Sequence, residues 1–233
     1  MADKQEVTRA STSKLNWLRA AVLGANDGIV SVSSIILGVA GATSARHTIF
    51  IAGLAGLVAG AFSMAVGEYV SVSSQRDTER SYIRREKRRL REHPEHELEG
   101  LAEAYIEKGV SRKTALLVAR ELTAKDALKA HLEAELQLDE EDLNNPLQAA
   151  LASMISFTAG ALVPLIAVLA ASRHTRVAVT FAAVLIALTL TGYVSATVGN
   201  ASRKRAILRV VIGGAAAMAA TYLVGHLFGT AVQ

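Results

Sequence analysis

Five long apolar stretches constrain this chain more than any other feature. They cover residues 17–41, 48–74, 147–171, 177–200 and 206–230. A helix of about 20 mostly apolar residues is long enough to cross the hydrocarbon core of a bilayer. Lipid offers no partner for backbone N–H and C=O groups, so such a segment must satisfy them within its own helix. The sequence therefore predicts an all-α membrane protein with five transmembrane helices.

Most of the charge is concentrated between the second and third stretches. Residues 76–146 contain 14 basic and 17 acidic side chains, which are 31 of the 46 charges in the chain. We therefore expect three parts: a tail and transmembrane helices 1 and 2 over 1–75, a water-exposed helical insert over 76–146, and transmembrane helices 3 to 5 over 147–233. We also expect transmembrane helix 2 to continue into the insert without a break. The chain has no cysteine, which excludes disulfides, thiolate zinc sites and iron–sulfur clusters.

Lysine and arginine near the ends of the apolar stretches predict the orientation, because they favour the cytoplasmic side. Eight lie on one expected side and three on the other: Lys4, Arg9, Lys14, Arg19, Arg203, Lys204, Arg205 and Arg209 against Arg46, Arg173 and Arg176. The N-terminus and the insert are then cytoplasmic and the C-terminus is outside, with a bacterial inner membrane as the simplest location. Because these basic residues orient helices beside anionic lipid, no nucleic-acid partner is expected.

Asp27 and Glu68 are the acids within the apolar stretches. An ionised acid at the centre of a lone membrane helix costs about 2.5–3.5 kcal/mol on insertion scales, so such residues usually face a cavity or a partner. Asn26 precedes Asp27, and Met64 lies one helical turn before Glu68. Oxygen ligands with one soft sulfur suit a transported divalent transition metal. The alternatives are a helix-end acid for Glu68 and a protonated, hydrogen-bonded acid for Asp27.

No lysine or arginine is expected at the depth of either acid. A salt bridge inside the bundle would therefore lack its basic partner, and a cation or a proton is the simpler counter-charge. An acid in this position can exchange a proton for an arriving cation. The two acids therefore favour metal transport coupled to protons.

Several acids of the insert share helical faces with apolar residues. Glu79 and Glu86 follow the same face as Ile83, and His131 and Glu135 lie four residues apart in the middle of a leucine face. Imidazole and carboxylate on one side of a helix suit a metal site. Further candidate ligands on the helix after Pro94 are Glu97, Glu99 and Glu103. The alternatives are a solvated amphipathic helix for the acids and a buried structural role for His131.

Nothing in the sequence indicates an enzyme. No nucleophile–base pair and no phosphate-binding glycine loop is recognisable, and no prosthetic group is expected. The remaining alternatives to a coupled transporter are a passive cation channel and a non-transporting membrane protein whose charged insert senses metal or docks a partner. They differ in whether metal crosses the membrane and whether a pH gradient affects its flux.

Two motifs resemble the vacuolar iron transporter (VIT) family. They are Gly24-Ala-Asn-Asp27-Gly-Ile-Val-Ser31 and Met64-Ala-Val-Gly-Glu68-Tyr-Val-Ser71, followed by the long insert before the third apolar stretch. The resemblance implies a five-span protomer in a homodimer that exports Fe²⁺ or Mn²⁺ from the cytoplasm, in exchange for protons. It also implies that Asp27 and Met64 line the translocation path, with Glu68 beside them.

The insert matches the family's metal-binding pattern only in part. Glu86, Glu97 and Glu135 stand where the family uses glutamate ligands. Arg89 and Gly100 stand where the resemblance leads us to expect a second glutamate on each of the first two helices. His131 and Leu132 replace the expected methionine, and the four methionines of the chain all lie outside the insert.

Overall fold

The computed structural model describes residues 2–136 and 145–231, with side chains over 21–135 and 145–229. Within these residues the chain forms seven α-helices and one π-helical turn. The helices are α1 (Ala2–Ala42), α2 (Arg46–Glu92), α3 (Pro94–Glu107), α4 (Arg112–His131), α5 (Pro146–Ala170), α6 (Arg176–Val198) and α7 (Arg203–Ala231), and the π-helical turn is Leu132–Leu136. The basic residues of the predicted N-terminal flank and Gln233 lie outside the described side chains.

Five of these helices are long and apolar enough to cross a membrane. The candidate spans are Ala21–Ala42 in α1, Arg46–Glu92 (α2), Pro146–Ala170 (α5), Arg176–Val198 (α6) and Arg203–Gly229 in α7. The prediction of five transmembrane helices in an all-α protein is confirmed. The chain divides into two compact units, Met1–Tyr69 with Pro146–Gln233 and Val70–Asn145.

In the first unit α1 is the central helix. One of its faces packs against α2 and α5, and the core there consists of Val32, Ile36, Ile49, Leu57, Phe157, Leu165 and neighbouring small residues. Its other face packs against α6 and α7, where the core consists of Ile29, Leu37, Val184, Leu188 and Met218. Residues of α1 therefore belong to both core clusters of this unit.

Glycines let α1 approach α5 and α7 at backbone distance. A Cβ added at Gly28 would overlap the carbonyl oxygen of Phe157, and one at Gly225 would overlap that of Gly38. The glycines of α2 are used differently: a Cβ at Gly53 would meet the Ile36 side chain, and one at Gly60 would meet the Phe157 ring. Small residues permit this close packing in membranes, where no hydrophobic effect drives helices together.

Three arginines join the α1–α2 turn to the α5–α6 turn. Arg46 donates a hydrogen bond to the Leu169 carbonyl at the end of α5. Arg173 donates to Ser44 Oγ at 2.6 Å, and the buried Arg176 donates to the Ser44 carbonyl at 3.3 Å. The contacts of Arg46 and Arg176 satisfy backbone carbonyl groups at or next to helix ends, where intrahelical partners are missing.

In the second unit, α3 and α4 begin and end at recognisable signals. Pro94 occupies the first turn of α3, and Gly109 beyond its end has φ +91°. Ser111 caps α4 by accepting a hydrogen bond from the Thr114 N–H. The sequence predicts a break between two helices at Leu122 and Thr123, but the backbone leaves helical geometry at Asp126.

The break occurs at Asp126 because its carboxylate acts as an internal cap. Asp126 Oδ1 accepts a hydrogen bond from the Lys129 N–H at 3.0 Å, which is the contact an N-cap makes three residues into a helix. Its φ of −165° and ψ of 95° are those of extended backbone. The segment after the kink carries His131, so the cap controls where that imidazole lies.

The close approach of α1 to α5 can be tested at Gly28. We expect Gly28→Ala to lower the unfolding temperature of the detergent-solubilised protein, because overpacking costs about 1–3 kcal/mol. Gly67→Ala is the matched control, since nothing lies within 4 Å of a Cβ at that position. Equal unfolding temperatures for the two variants would contradict the close packing.

Candidate functional site

A buried cluster of metal-ligand types lies in the second unit. Glu86 of α2, Glu97 of α3 and His131 at the end of α4 each offer one ligand atom, and these atoms all lie within 4.8 Å of one another. The three residues are 4%, 2% and 1% exposed. Carboxylates are almost never this deeply buried unless they are paired or bind a metal.

The apolar packing of α3 and α4 carries these polar groups into the interior. Leu101 and Ala102 follow Glu97 by one turn on α3, and both are buried against Ala115 and Ala119 of α4. Leu132 directly follows His131 and is 1% exposed. The same helix faces therefore bury the leucines and the three ligand types.

His131 lies against two carboxylates. Its Nδ1 lies 3.0 Å from Glu135 Oε1 and 3.2 Å from Glu86 Oε1. In the tautomer that carries the proton on Nδ1, this nitrogen donates a hydrogen bond to Glu135. Nε2 is buried and has no hydrogen-bond partner. In that tautomer Nε2 would keep its lone pair for a metal, as in metal sites where the other ring nitrogen donates to a carboxylate.

Burial makes Glu86 the most perturbed acid of the cluster. Loss of hydration raises the pKa of the Glu86 carboxyl above its ordinary value. His131 and Arg89 oppose this increase, whereas the nearby carboxylates of Glu135 and Glu97 add to it. The ionised form of Glu86 therefore needs a counter-charge, which a divalent ion would supply.

Sequence reasoning missed one charged member of the cluster. Arg89 lies one turn after Glu86, and its Nε is 3.1 Å from Glu97 Oε1 while its Nη1 is 3.5 Å from Glu86 Oε2. The sequence drew attention to Arg89 only as a departure from the expected glutamate. The sequence signal for this contact was the spacing of three residues between Glu86 and Arg89, which places the two side chains next to each other on α2.

The other predicted ligands of the insert lie away from the cluster. Glu99 and Glu103 are exposed on α3. Glu79 is half-buried and accepts a hydrogen bond from Gln75 Nε2 at 2.8 Å. Glu135 lies at the edge of the cluster, with its side chain 28% exposed.

A second group of polar residues lines a cavity in the first unit. The cavity has a volume of about 490 Å³ and lies among α1, α2 and α7. Its lining consists of Leu23, Asn26, Asp27, Val30, Met64, Arg209, Val210, Gly213 and Gly214. The structure thus brings together three of the four residues predicted for the transport path. Glu68 is half-buried on α2 and is not part of this lining.

Two side-chain oxygens at the cavity, on Asp27 and Asn26, differ in their hydrogen bonding. Asp27 Oδ1 accepts a hydrogen bond from Ser31 Oγ at 2.7 Å, one turn further along α1. Asn26 Oδ1 is buried and has no partner. A buried amide oxygen without a partner costs free energy, and a cation in the cavity would recover it. Asn26, Asp27 and Met64 thus offer a metal ion two oxygen ligands and one sulfur ligand.

Arg209 corrects an expectation from the sequence. The sequence counts it among the basic residues at the start of the last span, away from the depth of either acid. In the structure it belongs to α7 and lines the same cavity as Asp27. A basic residue is therefore present beside the membrane acid, because α7 begins at Arg203 and Arg209 lies almost two turns inside it.

The metal-ligand role of the buried cluster can be tested on α3. We expect Glu97→Gln to weaken Mn²⁺ binding to the full-length protein by more than about tenfold, because a ligand charge is lost. Glu99→Gln on the same helix removes an exposed carboxylate and should leave the affinity unchanged. Equilibrium dialysis with metal analysis measures both, and equal affinities would contradict the assignment.

The raised pKa of Glu86 gives a stability prediction. A carboxyl whose folded-state pKa is raised destabilises the fold once it ionises, and this loss grows as the pH rises from the ordinary pKa to the raised one. Glu86→Gln should therefore raise the unfolding temperature of the metal-free protein at neutral pH, and the gain should vanish in acid. Glu92→Gln, on a side chain 57% exposed, is the control. A gain that persists in acid would count against the pKa shift.

Known proteins are similar to this chain in sequence over nearly its whole length. The VIT family model matches residues 18–226. A vacuolar iron transporter of Acanthamoeba castellanii is 42% identical over 226 residues, 97% of this chain and 84% of that protein. Vacuolar iron transporter homolog 5 of Oryza sativa subsp. japonica is 37% identical over 93% of this chain and 82% of its own length. Homolog 2.1 of Arabidopsis thaliana is 36% identical over 100% of this chain and 90% of its own length. On the extent of these matches, this multi-pass membrane protein belongs to the VIT family.

Proposed function

We propose that this protein transports a divalent transition metal, Fe²⁺ or Mn²⁺, out of the cytoplasm in exchange for protons. The observation that carries the proposal is the cavity among three membrane helices, lined by the Asn26 amide, the Asp27 carboxylate and the Met64 thioether. The three relatives described above are named as iron transporters or their homologs, which supports iron as a cargo.

The chemistry of the cavity suits an ion that must bind and leave again. Carboxylate and amide oxygens stabilise Mn²⁺ and Fe²⁺, and a thioether is a weak, soft ligand that favours iron over magnesium or calcium. Three protein donors leave the remaining coordination positions to water. An ion held in this way keeps part of its hydration and can move on.

The buried cluster of the insert is proposed to collect the same cargo from the cytoplasm. Glu86, Glu97 and His131 Nε2 would be its ligands, and Glu135 would orient the imidazole through Nδ1. Two carboxylates and one imidazole accept Fe²⁺, Mn²⁺, Co²⁺ and Zn²⁺, so this site concentrates metal without selecting one. The metal is cargo in both sites, and the proposal requires neither a prosthetic group nor an enzymatic step.

Proton exchange is the finer part of the proposal, and Asp27 supports it. Its carboxyl lines the cavity, and the proposal is that it exchanges a proton for an arriving cation, as acids in membrane helices do in other transporters. Arg209 supplies a fixed positive charge in the same cavity. This charge repels a metal ion bound by Asp27, which weakens the binding and favours release of the ion.

The direction of transport follows from the proposed orientation. Arg203, Lys204 and Arg205 begin α7, and basic residues at the end of a span favour the cytoplasmic side. That side would also carry the insert, which makes transport an export from the cytoplasm, in a bacterium across the inner membrane.

A homodimer is proposed because α2 leaves a large apolar surface uncovered. Ile51, Leu54, Val58, Phe62 and Val66 of this helix are all at least 40% exposed. In a membrane this surface meets lipid or a second copy. A second copy would cover a helix that lines the cavity through Met64.

The alternative function is a membrane protein that senses metal without transporting it. One observation favours it: the ligand cluster lies entirely in the unit Val70–Asn145, which has its own apolar core. Such a protein would bind metal in the insert, and the cavity would carry no flux.

Flux through proteoliposomes separates these functions. We expect the wild type to move Fe²⁺ and Mn²⁺ and a pH gradient to accelerate the flux. Asp27→Asn should reduce the flux to the level of empty vesicles, because it removes the charge that holds the ion. Met64→Leu should lower the flux of Fe²⁺ more than that of Mn²⁺, because it keeps the volume but removes the sulfur.

Met154→Leu is the matched control for the sulfur. Met154 packs against the core of the first unit and is not part of the cavity lining, so the flux of this variant should equal that of the wild type. Wild-type flux in Asp27→Asn and Met64→Leu would exclude the cavity as the path. Metal binding by the insert without any flux would establish the alternative.

A further inference from the structure

Arg89 joins two buried carboxylates that belong to different helices. Its Nε contacts Glu97 Oε1 on α3 at 3.1 Å, and its Nη1 lies 3.5 Å from Glu86 Oε2 on α2. The side chains of Glu97 and Glu86 are 3% and 5% exposed, whereas that of Arg89 is 50% exposed. The guanidinium therefore reaches into the cluster from its rim, with one side in water.

Arg88 and His96 have different contacts. Arg88 lies 4.0 Å from Glu92, and both of those side chains are more than half exposed. His96 Nδ1 is 3.5 Å from Glu97 Oε1, but its side chain is 79% exposed and its ion pairs do not include Glu86. Arg89, in contrast, contacts both acidic ligands of the candidate metal site.

We propose that the Arg89 guanidinium is a built-in cation of the cluster, and that a divalent metal binds by displacing it. The inference rests on the proposed metal-binding role of Glu86, Glu97 and His131. In the metal-free protein Arg89 compensates the two carboxylates. When metal enters, the carboxylate oxygens turn to the ion and the guanidinium moves into the water that it already touches.

Charge and exposure make this exchange reversible. A divalent ion attracts the two carboxylates more strongly than a single guanidinium charge does, and burial amplifies the difference. The Arg89 side chain is 50% exposed, so the displaced guanidinium regains its hydration, and the carboxylates keep a counter-charge in the metal. The returning guanidinium in turn lowers the cost of releasing the metal, which a site that only collects cargo requires.

The test compares two neighbouring arginines in the full-length protein. Arg89→Gln removes the proposed competitor, and Arg88→Gln removes an exposed charge of the same helix. We expect Arg89→Gln to bind Mn²⁺ about tenfold more tightly than the wild type in equilibrium dialysis at fixed neutral pH. Its metal-free unfolding temperature should fall, because Glu86 and Glu97 lose their counter-charge. Arg88→Gln should change neither value.

Unchanged or weaker Mn²⁺ binding by Arg89→Gln would overturn the proposal, as would equal tightening by Arg88→Gln. If Arg89→Gln cannot be purified, Arg89→Lys must still bind Mn²⁺ more tightly than the wild type, because an ammonium lacks the planar fork that bridges two carboxylates. Glu97→Gln distinguishes failure of the metal site from failure of the displacement. If it binds Mn²⁺ as the wild type does, the cluster is not the metal site and the role of Arg89 fails with it.

Discussion

Removing a carboxylate from water is costly in free energy, and both candidate sites are organised around this cost. Glu86 and Glu97 lie in the interior of the second unit, at most 4% exposed. Asp27 lies half-buried in a membrane helix. Each acid has recovered part of its lost hydration from a nearby group: Arg89 and His131 in the insert, and Ser31 in the span. A divalent cation can offset the part of the desolvation free energy that these groups leave unrecovered.

The packing of α1 explains why Asn26 and Asp27 line a cavity. Gly24 and Gly28 bring one face of α1 against the backbone of α5. Asn26 and Asp27 lie on other faces of α1 and line the cavity beside α2 and α7. Gly213 and Gly214 of α7 belong to the lining there. Small residues thus close one face of α1 and leave space at the other.

The helices of this protein were largely predictable, because length and apolarity suffice to identify a membrane span. The start of α3 at Pro94 and its end before Gly109 also follow from local signals. The break in α4 was predicted too early in the chain, at Leu122 and Thr123, because its position depends on the contact of Asp126 Oδ1 with the Lys129 N–H. The glycines of α2 meet side chains of neighbouring helices, whereas the glycines that meet backbone atoms of another helix lie in α1, α5, α6 and α7.

The sequence by itself determined the helical architecture, the five spans and the short list of acids that share a face with apolar residues. Periodicity specifies the direction of a side chain around its own helix and gives no information on the distance to another helix. Only the tertiary structure could therefore separate buried Glu97 from exposed Glu99 and bring Arg89 between two carboxylates. For the same reason Arg209, which is far from Asp27 in the chain, became its neighbour in one cavity. Burial and pairing of charges depend on packing between helices, which no single segment encodes.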